Sequence, residues 1–356
     1  MTAAKINLMD LSIPAMQEFF VSLGEKPFRC EQLLRWIYQF GVTDFTQMSN
    51  LRKDLRAKLI EQCEIRPPEI VREQQSSDGT VKWALKLEDE QIVETVLIPE
   101  EDRNTLCIST QVGCPVKCAF CRTGAAGFNR NLKLYEIIGQ VFCAATRVGF
   151  SHNEEHKPIS NVVMMGMGEP LYNLKPVLEC VQILLSDFAF ALSKRRVTIS
   201  TAGVAPILEK IAGQVDVALA LSLHAPTDEL RSRLVPLNDK YPLSEVLNAV
   251  RHYLQKSNAN CGRVTIEYVL LAGVNDSLED AHALCRLLKD LPCKINLIPF
   301  NEHECAAFKT PNGMRVERFF RILADAGFTV MRRTTRGADI AAACGQLAGQ
   351  VRNAQN

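Results

Sequence analysis

Three cysteines at x3 and x2 spacing, Cys114, Cys118 and Cys121, stand in the run QVGCPVKCAFCRTGAAGFNRN, with Gly113 and Pro115 on either side of the first. Thiolates are soft ligands that suit an iron–sulfur cluster or zinc. A structural zinc site closes on four protein ligands, and a [4Fe–4S] cluster normally takes four cysteines. The local count stops at three. Three thiolates on an iron–sulfur cube leave one iron open to a substrate. The competing zinc site needs a fourth ligand, such as His152 or His156, and both stand beyond a full helix. The spacing favours the cluster.

The chain has thirteen cysteines, an odd number. With net charge +1, 47% hydrophobic and 23% charged residues, it reads as an ordinary globular enzyme, and total charge predicts no polyanion partner. No apolar run approaches the roughly 20 residues that span a bilayer. The N-terminal stretch has no basic segment leading into an apolar run, so it does not read as a signal peptide and the expected location is cytoplasmic. In a reducing compartment clustered cysteines are more often metal ligands or redox catalysts than structural bridges. Cys30, Cys63, Cys143, Cys180, Cys261, Cys285, Cys293 and Cys305 sit singly among apolar residues and read as small buried hydrophobes. Cys107 lies seven residues before the cluster, and Cys344 lies far away in the Gly- and Ala-rich RRTTRGADIAAACGQLAG.

Positioning these thiols requires a scaffold. From about residue 105 apolar, β-branched runs recur at 106–109, 162–167, 197–200, 215–221, 264–270 and 295–298. Helical patterns follow near 133–147, 173–186, 204–212, 243–255, 278–289 and 314–326. Six βα units imply a parallel sheet. A partial barrel and a doubly wound sheet both fit that count. Either way ligands belong beyond the carboxyl ends of the strands. Those positions hold Gly166-Met167-Gly168-Glu169-Pro170, Ser200-Thr201-Ala202-Gly203, Ser222-Leu223-His224-Ala225 and Pro299-Phe300-Asn301. The glycines would let backbone approach a ligand, and Glu169 could accept hydrogen bonds from an ammonium group.

The first ~95 residues read differently. Helices are expected over 27–40 and over 50–63, the second with Ser49 as N-cap, then a strand-like stretch over 81–98 turning at Asp78-Gly79. Residues 26–58 carry seven basic residues against three acids, and 315–336 carry six arginines against Glu317 and Asp325. Each is a candidate nucleic-acid surface, although a solvated charged face gives the same pattern.

The segments VETVLIP, CISTQVGC, CAFC-TG, GFNRNL, VVMMGMGEP, VTISTAG, ALSLHAP, IPFN and RGADI-AACGQLAG resemble the radical SAM adenine-C2 RNA methyltransferases of the RlmN type. The likeness spans nearly the whole chain, with no departure at the functional positions. It implies a partial (β/α)6 TIM-like barrel of the radical SAM type with a small N-terminal helical domain. The implied division is 1–95 for an RNA-binding accessory domain, 96–340 for the radical SAM core and 341–356 for a tail carrying a methyl-carrier cysteine. It makes Cys114, Cys118 and Cys121 ligands of a [4Fe–4S] cluster. Gly168, Glu169, Ser200, Ser222, Leu223, His224 and Asn301 fall where the family binds S-adenosylmethionine. Cys344 corresponds to the methyl carrier, Cys107 to its resolving partner and Glu94 to a proposed proton acceptor.

The implied chemistry suits an electron-poor carbon. Adenine C2 lies between two ring nitrogens and cannot attack an electrophilic methyl, so a radical or nucleophilic carbon must be brought to it. By the resemblance, Cys344 takes a methyl from one S-adenosylmethionine and a second yields a 5′-deoxyadenosyl radical that activates it. The C2 proton goes to Glu94 or Cys107, and Cys107 then releases the product by forming a disulfide that an external thiol reduces. The implied substrates are an adenine in the peptidyl-transferase centre of 23S rRNA and the adenine beside the anticodon in tRNAs. An electron donor, a thiol reductant and a monomeric state complete the expectation. C8 methylation of the antibiotic-resistance type, radical chemistry on a small metabolite and a non-enzymatic zinc module are the competing readings.

Overall fold

The computed structural model describes residues 5–101, 103–150 and 158–349. Its centre is a ten-stranded mixed sheet. Seven strands run parallel in chain order: Arg103–Cys107, Asn161–Met164, Val197–Thr201, Ala218–Ser222, Val264–Leu270, Cys293–Pro299 and Thr329–Arg332. Three antiparallel strands, Glu69–Gln75, Val81–Lys86 and Ile92–Glu100, extend the sheet beyond Arg103–Cys107. Cys107 from the first parallel strand and Ile298 from the sixth line one cavity, so the sheet curls into part of a barrel. That curl settles the choice that six βα units leave open.

The six expected helices form as Leu134–Val148, Leu174–Leu185, Ala205–Ile211, Leu243–Lys256, Leu278–Leu288 and Gly313–Asp325. The last leads into a seventh, short parallel strand that periodicity alone does not pick out, because Thr329–Arg332 is an exposed edge with two arginines following. Leu134–Val148 is buried on nearly every face from Leu134 to Ala145. The chain start covers it: Asp10 Oδ1 accepts from Tyr135 N at 3.2 Å, placing an acid at the positive end of the helix.

The N-terminal helices differ from expectation in detail. Ile13–Ser22 is an additional helix, capped by Ser12 Oγ on Ala15 N with Pro14 in its first turn. The expected 27–40 helix is α-helical only over Arg29–Leu34, then widens to a π-turn over Arg35–Gln39, inside which Tyr38 packs on Phe190 with ring centroids 5.3 Å apart. Ser49 does not cap the next helix. It begins at Lys53, because Met48 and Leu51 are buried in the preceding turn. The 81–98 stretch is two strands with a turn between Lys86 and Ile92, and its turn at Asp78-Gly79 leads back to Glu69–Gln75.

The single cysteines divide. Cys30, Cys63, Cys143, Cys180 and Cys293 are buried as expected; Cys285 is half-buried, whereas Cys261, in the 3-10 turn Ala259–Gly262, and Cys305, in a turn after the sixth parallel strand, are exposed. His152 and His156 lie outside the described residues.

Candidate active site

The loop from Thr110 to Leu132 hangs from the end of the first parallel strand. Gln140, fully buried on the helix behind it, accepts from Ser109 N at 2.7 Å and donates to Ser109 O at 2.8 Å. A buried amide that answers both backbone groups of one residue fixes where the strand ends. Cys114 N donates to Gly127 O and Ala119 N to Leu234 O, each bond closing the loop against a neighbour. Arg130 of the GFNRNL segment is structural: its guanidinium grips the buried Glu136 at 2.7 and 2.8 Å and Asp89 at 2.7 and 2.9 Å.

Cys114, Cys118 and Cys121 line a cavity of about 160 Å³ at the carboxyl ends of the strands. Gly168, Glu169, Ser200, Ser222, His224, Asn301 and Cys344 line it too. Leu223 does not: its side chain is in the core, and only its backbone serves the site, accepting from Arg231 Nε at 3.1 Å. The glycines of the Gly166–Pro170 loop make room for protein. A Cβ on Gly166 would meet Ile108 O at 2.7 Å, and one on Gly168 would meet Gln111 Cβ at 2.5 Å. Glu169 is likewise engaged within the fold, accepting from Leu171 N at 3.1 Å and Ala202 N at 2.7 Å. Burial pushes its carboxyl up to about 7 despite those donors.

His224 sits at φ +62, strained for a residue with a Cβ. Its Nδ1 accepts from Val269 N at 3.1 Å and its ring stands edge-on to Phe120 at 4.8 Å. Burial, then the nearby Arg231 charge, lower its pKa to about 3, so the ring is neutral with its proton on Nε2.

A smaller cavity of about 70 Å³ adjoins the first and is lined by Cys107, Arg333 and Cys344. Cys107 is buried, and burial followed by Cys344 pushes its thiol up to about 12. Arg333, which the sequence offers only as one cation in a basic run, faces both thiols, and Cys344 is the largest influence holding its guanidinium charged. Glu94 lines neither cavity. Its carboxylate accepts from Ala348 N at 2.8 Å and Gly349 N at 3.2 Å and pairs with Lys82 at 3.1 Å.

Residues 6–65 match the family described as the ribosomal RNA large subunit methyltransferase N-terminal domain, and 108–288 match the radical SAM superfamily. A radical SAM methyltransferase from Sphaerobacter thermophilus is 42% identical over 96% of this chain and 99% of its own, with TM-score 0.88. This chain is a radical SAM methyltransferase of the RlmN type. SuiB from Streptococcus suis, in a structure bound to S-adenosylmethionine, is 13% identical over 65% of this chain and 51% of its own, with TM-score 0.46.

A radical SAM methyltransferase has a [4Fe–4S] cluster and S-adenosylmethionine as cofactors. The donor set of this RlmN-type chain fits the cluster. Three soft thiols line one cavity and none is in a disulfide. Burial raises all three, Cys114 to about 12, a cost that a cationic core would offset. Among the described residues no three His, Cys, Asp or Glu side chains gather closely enough to grip a single ion; the three thiols surround a space instead.

Two residues of this site escape sequence reasoning. Arg231 is fully buried and donates to Leu223 O, Ala202 O at 2.5 Å, Ser222 O at 3.2 Å and Asn238 Oδ1 at 2.9 Å, tying together the loops after the third and fourth parallel strands. Lys82 reaches the tail from an antiparallel strand. The only available signals are a DEL triplet after Thr227 for the first and, for the second, a charge at a position whose neighbours are apolar. Among the described residues no helix is long and apolar enough to cross a membrane.

Proposed function

We propose that this chain methylates C2 of an adenine in RNA, with Cys344 as methyl carrier and Cys107 as resolving thiol. The carrying observation is that these two cysteines, far apart in sequence, line one small cavity beside Arg333, next to the three-cysteine cavity. Hydrogen-abstracting radical chemistry needs no second thiol pair; methyl relay does.

Cys114, Cys118 and Cys121 would hold the cluster, and the loops bearing Gly168, Glu169, Ser200, Ser222, Leu223, His224 and Asn301 would cradle S-adenosylmethionine. When bound, cluster and cofactor together supply the hydrogen-abstracting radical that makes a sulfur-bound methyl reactive. The protein's own part is placement. Cys344 Sγ, as thiolate, takes the methyl by nucleophilic displacement and presents it at the join of the two cavities. Arg333 partly offsets the burial that raises the Cys107 thiol. Once the carbon is bonded to C2 and the C2 proton has passed to Glu94 or Cys107, Cys107 Sγ attacks Cys344 Sγ; the bond from that sulfur to the transferred carbon breaks, the carbon takes up a proton to become the methyl, the unpaired electron passes back to the electron carrier, and a disulfide forms. An external dithiol restores both thiols.

The substrates would be 23S rRNA and tRNA, with the target base unstacked to reach the cavity. The family match over 6–65 supports residues 1–95 as an RNA-binding accessory domain, followed by a 96–340 core and a 341–356 tail. The basic stretches are less free than their count suggests. Arg29 and Arg52 pair with Glu25, Arg35 stacks on Phe188, and Arg315 pairs with Asp276. RNA affinity resting on the remaining cations should still fall steeply with salt.

The deciding experiment is a pair of variants assayed with rRNA and tRNA under anaerobic reduction. Cys344→Ala should cleave S-adenosylmethionine and transfer no methyl, and Cys107→Ala should accumulate a protein–RNA crosslink through Cys344. Normal turnover by either variant sinks the relay. Mass spectrometry of 2-methyladenosine in the product reads the regiochemistry, and 8-methyladenosine in its place would overturn C2.

A further inference from the structure

The segment bearing Cys344 contains no strand or α-helix; only Ala338–Ile340 forms a 3-10 turn. Its seat is made by side chains of other elements. Lys82, on Val81–Lys86, donates from Nζ to Ala341 O at 3.1 Å, three residues before Cys344. Glu94, on Ile92–Glu100, accepts from Ala348 N and Gly349 N, four and five residues after it. Lys82 and Glu94 also pair with one another at 3.1 Å, with only 8% and 13% of their side chains exposed. Lys82 opposes Val96 and Ala84 opposes Glu94, so the two are diagonal neighbours on one face of an antiparallel pair.

We propose that Lys82 and Glu94 form a clamp that holds the Cys344 segment at both ends over the thiol cavities, which makes Lys82 a positioning residue for the methyl carrier. The proposal rests on the carrier reading above. Three features support a clamp over incidental packing. The pair is buried, so each charge depends on the other: removing Lys82 leaves Glu94 desolvated without a counter-charge. The two ends of the segment are gripped by opposite charges through backbone groups of the right polarity, a carbonyl for the ammonium and N–H groups for the carboxylate. The far end fits only without a side chain, because a Cβ on Gly349 would lie 2.3 Å from Ile92 O. While the clamp is closed, the Glu94 carboxylate receives three donors and faces the tail. It must let go of Ala348 and Gly349 before it can take a proton from substrate.

The test reads Cys344 directly in the full chain. Alkylation by iodoacetamide, followed peptide by peptide, and hydrogen exchange over residues 338–349 measure how often the segment opens. Lys82→Met and Glu94→Ala should each raise Cys344 alkylation by at least about tenfold, a loss of 1.4 kcal/mol of local protection. Cys180, on the buried face of the helix Leu174–Leu185, should stay protected in both. Glu94→Gln keeps an oxygen for the two N–H groups and should stay nearer wild type than Glu94→Ala. Gly349→Ala disturbs neither charge and should open the same end, which keeps the test usable if a charge variant fails to fold. Wild-type Cys344 labelling in Lys82→Met or in Gly349→Ala overturns the clamp. Finding no methyl on Cys344 of the wild-type enzyme, with the tail still opened by Lys82→Met, would remove the carrier reading and leave the clamp standing.

Discussion

The loop carrying Cys114, Cys118 and Cys121 hangs from the sheet by backbone bonds and by amides buried behind it, whereas the tail carrying Cys344 is tied down by side chains from remote elements. Asp339 of the tail accepts from Ser76 Oγ and Ser77 N, Asp78 accepts from Gly337 N, Thr123 Oγ1 donates to Leu347 O, and Asn301 Nδ2 donates to Cys344 O. A cluster ligand, the role proposed for these three cysteines, must hold still through every turnover, and the loop is pinned to the sheet to match. In the relay proposed above, Cys344 must meet a donor, a base in RNA and a second thiol in succession. Its segment is held by bonds that can be released one at a time.

The comparison breaks most decisively at the cluster loop. Replacing Cys114, Cys118 or Cys121 by alanine should abolish both methyl transfer and iron binding, seen as loss of about four irons per chain after anaerobic reconstitution. Cys344→Ala should leave that iron content intact. Equal iron loss in both would erase the distinction between the regions.

Arg231→Gln comes next. It leaves buried carbonyls of two cradle loops without their donor, and the expected cost is about 3 kcal/mol of global stability by urea titration. Gln140→Leu strands the buried N–H and C=O of Ser109 and should cost about 2 kcal/mol. Gln140 pins the start of the cysteine loop and Arg231 the loops facing it, so unfolding midpoints should move; an unchanged midpoint in either would show that its loop does not depend on that pin.

The tail should respond to pH instead. Burial raises the Asp78 carboxyl, but the N–H groups of Gly337 and Thr80 outweigh it and hold the pKa well below the usual value. The Ser76 hydroxyl and Ser77 N–H do the same for Asp339. A depressed carboxyl contributes fully above its ordinary pKa of 3.8 and loses that contribution as pH falls through its folded value. Pepsin should therefore begin to cut the tail at a higher pH than it cuts the barrel. Asp339→Asn is the smallest change, exposed and readily solvated, and should alter tail proteolysis by less than about threefold.

Much of the scaffold was legible along the chain. All six barrel helices fall within two residues of the positions their apolar spacing marks, because each must bury one stripe against the sheet. The cysteine spacing favoured a cluster loop over zinc, since three thiols in eight residues leave zinc short of a nearby fourth ligand. The N-terminal helix starts were less legible, as at Ser49, where buried Met48 and Leu51 outvoted the capping residue.

Local pattern thus determined the elements, the thiol triad and the set of polar loops that gather at one end of the strands. It could not say that Cys344 returns to Cys107, that Arg333 turns in to face both, or that Arg231, Lys82 and Glu94 serve as internal ties. Those facts depend on the curl of the sheet, which brings the first and sixth parallel strands to one cavity and folds the tail across it. Period and spacing act over a few residues, whereas Arg231 reaches back 29 residues to Ala202 and the Lys82 and Glu94 bonds to the tail span 259 and 254, and only the closed tertiary structure supplies the partners.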